Sequence, residues 1–416
     1  MIQTRRYHLV TLGCPKNEVD SDKLAGTLVA DGMVSTDRVE DAELIVVNTC
    51  AFVEDARRES IDTVLALADQ RRDGARLVVT GCMAERYGTE LADELPEVDQ
   101  VVGFGVPIAL GETRSNAVPP PVMDLLNLPR PASTRPWAYV KAAEGCDRAC
   151  GYCAIPSFRG PQRSRSAESV LAEVDGLGVR EVVLVAQDLA AYGRDQGVGD
   201  KAIVALLGAV ADRVDWVRLL YLYPSEVTDP LVDAVCASGV PYFDLSLQHV
   251  SRPLLRRMRR WGDGDRFGAL MKRIRRREPD ATFRSNFIVG YPGETEEDHD
   301  ELLAFVADAG LDWCGFFAFS EEVGTHAEGL DGAVPAPLVT ERLRELGELQ
   351  DAITASKRDA LIGRQVEVLV DEPGWGRTHR EAPEIDGLVE VPAELPVGEF
   401  ATLTVTGAAG PDLEAA

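Results

Sequence analysis

The stretch Gly145-Cys146-Asp147-Arg148-Ala149-Cys150-Gly151-Tyr152-Cys153 carries three cysteines in the spacing C-x3-C-x2-C. A 4Fe-4S cluster held by three cysteines keeps one iron open to a further ligand, whereas four cysteines would close it. Zinc is the alternative occupant. Structural zinc takes four ligands, usually from two C-x2-4-C or H-x3-5-H pairs, and no second pair follows here. The ligand count favours iron–sulfur, and an open iron points to catalysis.

A second set of three cysteines lies upstream. The predicted strands His8–Leu12, Leu44–Val47 and Leu77–Val79 lead to Cys14, Cys50 and Cys82, and an amphipathic helix follows each turn. In a parallel α/β sheet all strand carboxyl ends lie on one edge, so these turns converge although the cysteines stand 36 and 32 residues apart. Three unrelated loop cysteines are the alternative, but the same position in three consecutive βα units argues for a second metal site. Its ligands would be Cys14, Cys50 and Cys82, beside Cys146, Cys150 and Cys153 at the first. Gly13 and Gly81 would let backbone approach a bulky cluster. Asn17 and Asn48 would donate to sulfide or thiolate, or Asn17 would cap the next helix. Cys236 and Cys314 sit in apolar segments and read as core residues. Ligand-like settings of the other six point to a reducing compartment rather than to disulfides.

With Tyr152 as the aromatic residue before the third cysteine, the C-x3-C-x2-C run resembles the radical S-adenosylmethionine enzymes. That resemblance implies that the open iron chelates S-adenosylmethionine and that one electron cleaves it to methionine and a 5′-deoxyadenosyl radical. Three further stretches are similar to methylthiotransferases: Leu12-Gly13-Cys14-Pro15-Lys16-Asn17-Glu18-Val19-Asp20-Ser21, Asn48-Thr49-Cys50-Ala51-Phe52 and Thr80-Gly81-Cys82. The first has the form found in the RimO-type branch, whose members modify ribosomal protein S-twelve of the small subunit. The resemblance implies two 4Fe-4S clusters with S-adenosyl-L-methionine as cofactors, and methylthiolation of an aspartate β-carbon in that protein, free or assembled. It also implies that the cluster on Cys14, Cys50 and Cys82 holds the sulfur that is inserted. Ser246 and Asp22 depart from the usual proline and glutamate, which bears on local backbone geometry.

Cofactor contacts are expected at Tyr152, Arg159, Gln187, Asp188, Gly290, Pro292, Gly293 and Glu294. Arg159 stands with Arg163 and Arg165 in Ile155–Ser166, where arginine forks would grip the cofactor carboxylate or ribose region. Gln187 and Asp188 open a Q-D-x-x-x-Y-G motif ending at Tyr192-Gly193. Gly290-Tyr291-Pro292-Gly293-Glu294 is a glycine-rich strand end of the kind that lies against adenine in the family; taken alone it reads as a turn. Gln248 and His249 end another strand, and His249 reads either as a contact to substrate or cofactor or as a hydrogen-bonded structural residue.

These residues need scaffolds, and 416 residues suffice for two or three domains. The expected architecture is α/β: an amino-terminal parallel βα domain (1–115), a Pro-rich linker (116–136), a partial (βα)6 barrel forming the radical core (137–360) and a small TRAM-like β-barrel (361–416). Barrel strands are predicted at Ala138–Ala142, Glu181–Ala186, Val217–Tyr223, Tyr242–Leu247, Thr282–Val289 and Trp313–Phe319. In parallel barrels the site forms at the strand carboxyl ends, where these polar residues fall. The last domain is predicted to have strands Gln365–Val370, Ile385–Val391 and Phe400–Val405.

A net charge of −26 argues against nonspecific attraction to nucleic acid phosphates. Between Arg252 and Arg277, however, eleven Lys and Arg oppose Asp263 and Asp265. Such a run is usually a solvated helix face, with docking on RNA or cofactor phosphate as the alternative. From Ala360 onward three Arg oppose eleven Asp and Glu, which suits a basic protein partner better than RNA, so direct RNA contact is secondary. Neither a signal peptide nor an apolar run of about 18 residues is present, which makes a cytoplasmic location without membrane contact the expectation. The reductant protein is not identifiable from residues. Two other functions use the same cysteines: a tRNA adenosine methylthiotransferase, and a noncatalytic iron–sulfur carrier or ribosome-binding protein.

Overall fold

Leu44–Thr49 is buried along its whole length, as a strand covered on both faces must be, and its apolar run reflects that. The structure, a computed structural model, describes residues 5–108, 124–199 and 201–416. It divides into two compact units: Met1–Ala132 with Ala143–Asp147 and Ala154–Gly176, and Ser133–Ala142 with Arg148–Cys153 and Leu177–Ala416.

The first unit begins β1 (Arg6–Thr11), α1 (Pro15–Ala30), β2 (Val34–Ser35), β3 (Leu44–Thr49), α2 (Glu54–Gln70), β4 (Arg76–Gly81), α3 (Cys82–Glu94) and β5 (Gln100–Val101). All five strands are parallel, in the order β2-β1-β3-β4-β5. Strand periodicity sends alternate residues to opposite faces. Ile45, Val47, Leu77 and Val79 pack with Val64 and Leu91, whereas Leu44, Val46 and Val78 pack with Leu24 and Leu28. The chain leaves β1 outward to β2 and returns to β3, which makes the β1/β3 boundary the topological switch point where open α/β sheets place ligands.

The expected linker falls partly on residues 109–123, outside the described residues. Its described part is anchored at two places. Leu125 and Leu126 are buried, Lys23 donates to the Leu126 carbonyl, and Arg130 pairs with Asp22 at 2.7 Å and Glu173 at 3.0 Å. A leucine pair and an arginine stem cover apolar surface that proline content alone does not reveal.

After β6 (Trp137–Lys141) come β7 (Ala143–Glu144), α4 (Ile155–Arg159), β8 (Arg163–Ser164) and α5 (Ala167–Leu177). The second unit continues with β9 (Glu181–Val185), α6 (Lys201–Ala211), β10 (Trp216–Leu219), α7 (Asp229–Ala237), β11 (Tyr242–Gln248), α8 (Arg252–Arg257) and α9 (Gly264–Arg277). Next are β12 (Thr282–Val289), α10 (Glu296–Ala309), β13 (Trp313–Ala318) and α11 (Ala336–Asp359). Two parallel sheets, β6-β9-β10 and β11-β12-β13, meet through a single parallel bridge between Leu222 and Leu245, giving six parallel barrel strands. The third strand stops at Leu219 rather than Tyr223, because Tyr221 takes a left-handed φ of 65° and its N–H goes to Asp244 at 2.9 Å.

The remaining strands, β14 (Gln365–Glu372), β15 (Trp375–Arg377), β16 (Val389–Glu390), β17 (Phe400–Ala409) and β18 (Asp412–Ala415), close a small barrel in the order β14-β15-β16-β18-β17. The predicted strand Ile385–Val391 shrinks to two residues. Asp386 instead closes a turn on the Ala382 N–H at 2.8 Å and accepts from the Tyr242 hydroxyl at 2.6 Å. This small barrel covers the floor of the larger one, at the amino ends of its strands. Arg377 reaches Glu181 at 2.7 Å beside Arg218 at 2.9 Å, and the Trp313 indole donates to the Arg380 carbonyl at 2.6 Å. Burial alone would push the Glu181 carboxyl up, but the two arginines hold it below its usual range. The mouth is left to the strand carboxyl ends.

Candidate functional site

The ends of β1, β3 and β4 stand in register, with Thr11 opposite Asn48 and Thr49 opposite Gly81. Cys14 therefore lies in the turn before α1, Cys50 directly after β3, and Cys82 at the first residue of α3. Their closeness is visible at Gly13, where an added Cβ would come within 2.9 Å of Cys50 Cβ and 3.0 Å of its Sγ. At Gly81, φ is +94° and a Cβ would meet Asn48 Oδ1 at 2.3 Å and the Thr49 backbone at 2.6 Å. Gly81 is therefore required by protein backbone, whereas Gly13 lets a turn approach a thiol.

Asn17 is fully buried in the middle. Its amide nitrogen donates to the carbonyls of Leu12 (2.9 Å) and Thr49 (3.0 Å), and its Oδ1 accepts from Cys82 Sγ (3.4 Å). Asn48 donates to the Asn17 carbonyl and to Ser21 Oγ, so it braces the turn and does not donate to sulfur.

Burial raises the Cys14 thiol, but Lys16, Arg159 and the helix-start N–H groups of Asn17 and Lys16 outweigh it and leave it below its ordinary value. Cys50 is pushed up to about 11, first by burial and then by the neighbouring Cys14 and Cys82. Burial also raises Cys82, against the opposing pull of Arg159. Among the described residues no three Cys, His, Asp or Glu side chains are gathered as tightly as one metal ion requires. A four-iron cube holds its cysteines on separate corners, farther apart than ligands of one ion, and this donor set fits it.

The second triad is held on a loop. In the first unit, β7 pairs with β8 and the Cys146 N–H donates to the Gly160 carbonyl at 3.1 Å. In the second unit, the Gly151 N–H donates to Met258 O and its carbonyl accepts from the Ala327 N–H, both at 2.7 Å. Arg260 Nη1 stands 3.4 Å from Cys150 Sγ, and another Arg260 nitrogen donates to the Ser246 carbonyl. Arg148, inside the cysteine run, pairs with Asp188 at 2.7 Å and Glu226 at 3.0 Å. The guanidiniums of Arg148 and Arg260 both lie against the Tyr223 ring, at 3.9 and 4.1 Å from its centre.

Several expected cofactor contacts have other occupations. Arg159 donates to Cys82 Sγ and to Asn17 Oδ1 beside the first triad, at 3.0 and 2.7 Å. Arg165 pairs with Glu173, and Arg163 stands 3.5 Å from Asp124. Asp188 is taken by Arg148, so it steadies the cysteine loop. Glu294 accepts from the Gly290 N–H at 2.5 Å and pairs with buried Arg342 at 2.8 Å, which shapes the turn from within. A Cβ at Gly290 would strike Val339 Cγ2 at 2.5 Å, so helix packing, not only ligand space, demands glycine there. Pro292 is buried and Gly293 is tied to Gly332 O at 2.7 Å. Tyr152 is half-buried beside Cys150 and Arg260, and Gln187 is half-buried after β9. Gln248 has a left-handed φ of 72° at a register shift in β11, the kind of strained strand end found at functional sites. Buried His249 accepts from the Ser251 N–H through Nδ1, and burial lowers it to about 4. That keeps the imidazole neutral.

Two participants escaped sequence reasoning. Arg260 was one cation among eleven, and only its burial separates it from Arg273 and Arg277, which pair with Asp229. Tyr291 lies within the glycine-rich turn, and a Cβ on Gly151 would meet its hydroxyl at 2.9 Å. No helix among the described residues is long and apolar enough to cross a membrane.

Comparison with known proteins bears on the whole chain. Residues 6–103 match the uncharacterized protein family UPF0004, residues 140–306 the radical SAM superfamily and residues 362–416 the TRAM domain. The chain is 43% identical to the ribosomal protein uS12 methylthiotransferase RimO of Kineococcus radiotolerans, covering 99% of this chain and 96% of that one. It is also 43% identical to the protein of the same name from Moorella thermoacetica, over 96% of both chains. Among solved structures, the cobalamin-dependent S-adenosylmethionine radical enzyme OxsB aligns with a TM-score of 0.51 at 12% identity. That alignment covers 84% of this chain and 56% of OxsB, and it is a likeness of fold.

Proposed function

This chain belongs to the RimO family of radical S-adenosylmethionine methylthiotransferases, and we propose that it places a methylthio group on the β-carbon of an aspartate in ribosomal protein uS12. The observation that carries this reading is the pairing, in one chain, of three strand-end cysteines at an α/β switch point with a C-x3-C-x2-C loop at a parallel-barrel strand end. Cys14, Cys50 and Cys82 would hold one 4Fe-4S cluster, and Cys146, Cys150 and Cys153 the other. Bound there with S-adenosylmethionine, these groups supply a hydrogen-abstracting radical and a sulfur atom. An sp3 C–H beside a carboxylate has no readily removed proton, and general base catalysis, worth about 10²–10⁴-fold, does not reach it.

The protein's own residues orient and enclose. Arg148 and Asp188 clamp the cysteine loop, while Met258 and Ala327 fasten it through Gly151. Glu294 and Arg342 set the Gly290–Glu294 turn, leaving Tyr152, Gln187, Pro292 and Gly293 as candidate contacts to the cofactor. A protein substrate is favoured over tRNA by the surface of the last barrel. Arg377 is buried on Glu181 and Arg380 pairs with Asp280, whereas Glu367, Glu372, Glu390, Glu394 and Glu399 are exposed. Such a surface attracts a basic protein and repels phosphate.

The test is the intact mass of uS12 from cells with and without this gene, alongside nucleosides from their tRNA. An increment of about 46 Da that vanishes from the protein on deletion, with tRNA unchanged, is the expected result. Loss from tRNA would instead assign the chain to adenosine methylthiolation, and no loss from either would favour the carrier reading.

A further inference from the structure

Arg159 ends α4, six residues beyond Cys153 in the chain, yet its side chain belongs to the other cysteines. Its side chain is 3% exposed. Nη2 donates to Cys82 Sγ at 3.0 Å and to Asn17 Oδ1 at 2.7 Å, while Nη1 meets Glu144 at 2.7 Å and Asp20 at 3.3 Å. Its planar face lies 4.4 Å from the centre of the Phe104 ring. The two carboxylates grip one edge of the fork and aim the other edge at sulfur, an arrangement a flexible ammonium would not reproduce. Asn17, which receives the second of those hydrogen bonds, is the residue that ties the Leu12 turn to Thr49. One cation therefore orders the Cys82 sulfur and the turn carrying Cys14 together.

We propose that Arg159 is a positioning residue of the amino-terminal cluster site, holding the Cys82 sulfur through Nη2 and favouring the more reduced cluster through its buried charge and hydrogen bond. The inference rests on the reading that Cys14, Cys50 and Cys82 bind a 4Fe-4S cluster. Hydrogen bonds to cluster sulfurs and nearby charge are the protein's main controls on cluster potential. Here the control would come from the segment that follows the radical-generating loop in sequence.

The test uses the full chain carrying Cys146→Ala, Cys150→Ala and Cys153→Ala, so that only the amino-terminal cluster forms, with Arg159 intact or changed to Met or Lys. Each protein is reconstituted anaerobically, assayed for iron and sulfide, and titrated with dithionite while the reduced cluster is followed by electron paramagnetic resonance. The Arg159-intact chain should bind about four irons. Arg159→Met should make reduction at least tenfold less favourable, which is about 59 mV for one electron. Arg159→Lys, which keeps the charge and loses the fork, should fall between them, at least threefold less favourable than the intact chain. It also decides the matter if the Met variant does not fold, since a shift under threefold in Arg159→Lys would then overturn the proposal. Normal iron content with Met and Lys variants both within threefold of the intact chain would overturn the role of Arg159 alone. No cluster in the intact chain would overturn the site reading and this inference with it.

Discussion

The amino-terminal cysteines are spread over 69 positions, from Cys14 to Cys82, and meet because three parallel strands end on one edge; the second triad lies within eight consecutive residues and meets by local spacing. In the first site the scaffold is sheet backbone. Asn17 and Asn48 are buried, and glycine is demanded wherever a turn crosses its neighbour. In the second, a loop is moored by separate tethers: Gly151 to Met258 and Ala327, and Arg148 to Asp188 and Glu226. Yet each site sets one buried arginine on one cysteine sulfur, Arg159 on Cys82 and Arg260 on Cys150. A cluster site built on a sheet resists change in its frame, whereas one built on a loop depends on the residues that hold the loop down.

The strongest way to break this comparison is to remove one ligand from each side. Cys150→Ala should abolish release of 5′-deoxyadenosine from S-adenosylmethionine. Cys82→Ala should leave that release measurable by chromatography while methylthiolated uS12 disappears from mass spectra. Equal loss of both signals in both variants would mean the sites do not divide the chemistry.

Backbone crowding gives the next largest effect. Gly81→Ala puts a Cβ 2.6 Å from the Thr49 backbone at positive φ, and should cost about 3 kcal/mol in thermal or urea unfolding. Gly151→Ala meets the Tyr291 hydroxyl at 2.9 Å and the Met258 and Arg257 carbonyls less closely, at 3.3 and 3.4 Å, and should cost about 1 kcal/mol. A reversed order would remove the distinction between frame and tether.

Arg260→Met should then lower the rate of 5′-deoxyadenosine release about tenfold, equivalent to about 1.4 kcal/mol in the barrier, without loss of the amino-terminal cluster's iron. Smallest of all is Tyr291→Phe. The hydroxyl donates to the Arg257 carbonyl at 3.2 Å, and its removal should cost under about 1 kcal/mol in unfolding experiments.

Legibility followed the range of the interaction. Three strand-turn-helix units with a cysteine at each turn were readable because periodicity and spacing are local. The six barrel strands were readable for the same reason, although Tyr221 shortened one of them. The strand at Ile385 was overestimated because Asp386 is used by a turn and by Tyr242, a partner 144 residues away. The sequence places Arg159 near the cysteine loop and Glu294 in a glycine-rich turn, but it does not show that Arg159 also meets Asn17, 142 residues away, or that Glu294 pairs with Arg342, 48 residues away.

By itself the sequence determined the number of thiolates in each set, their strand-end or loop setting, and the α/β architecture, since all of these follow from residue spacing and hydrophobic period. Only tertiary structure decided which arginine meets which sulfur: Cys82 and Arg159 lie 77 residues apart, and Cys150 and Arg260 lie 110 apart. It also decided that the small carboxy-terminal barrel floors the large one through Arg377 and Glu181, 196 residues apart. Contacts of that range are selected by packing and by the need to pair buried charge, and neither is written in local sequence.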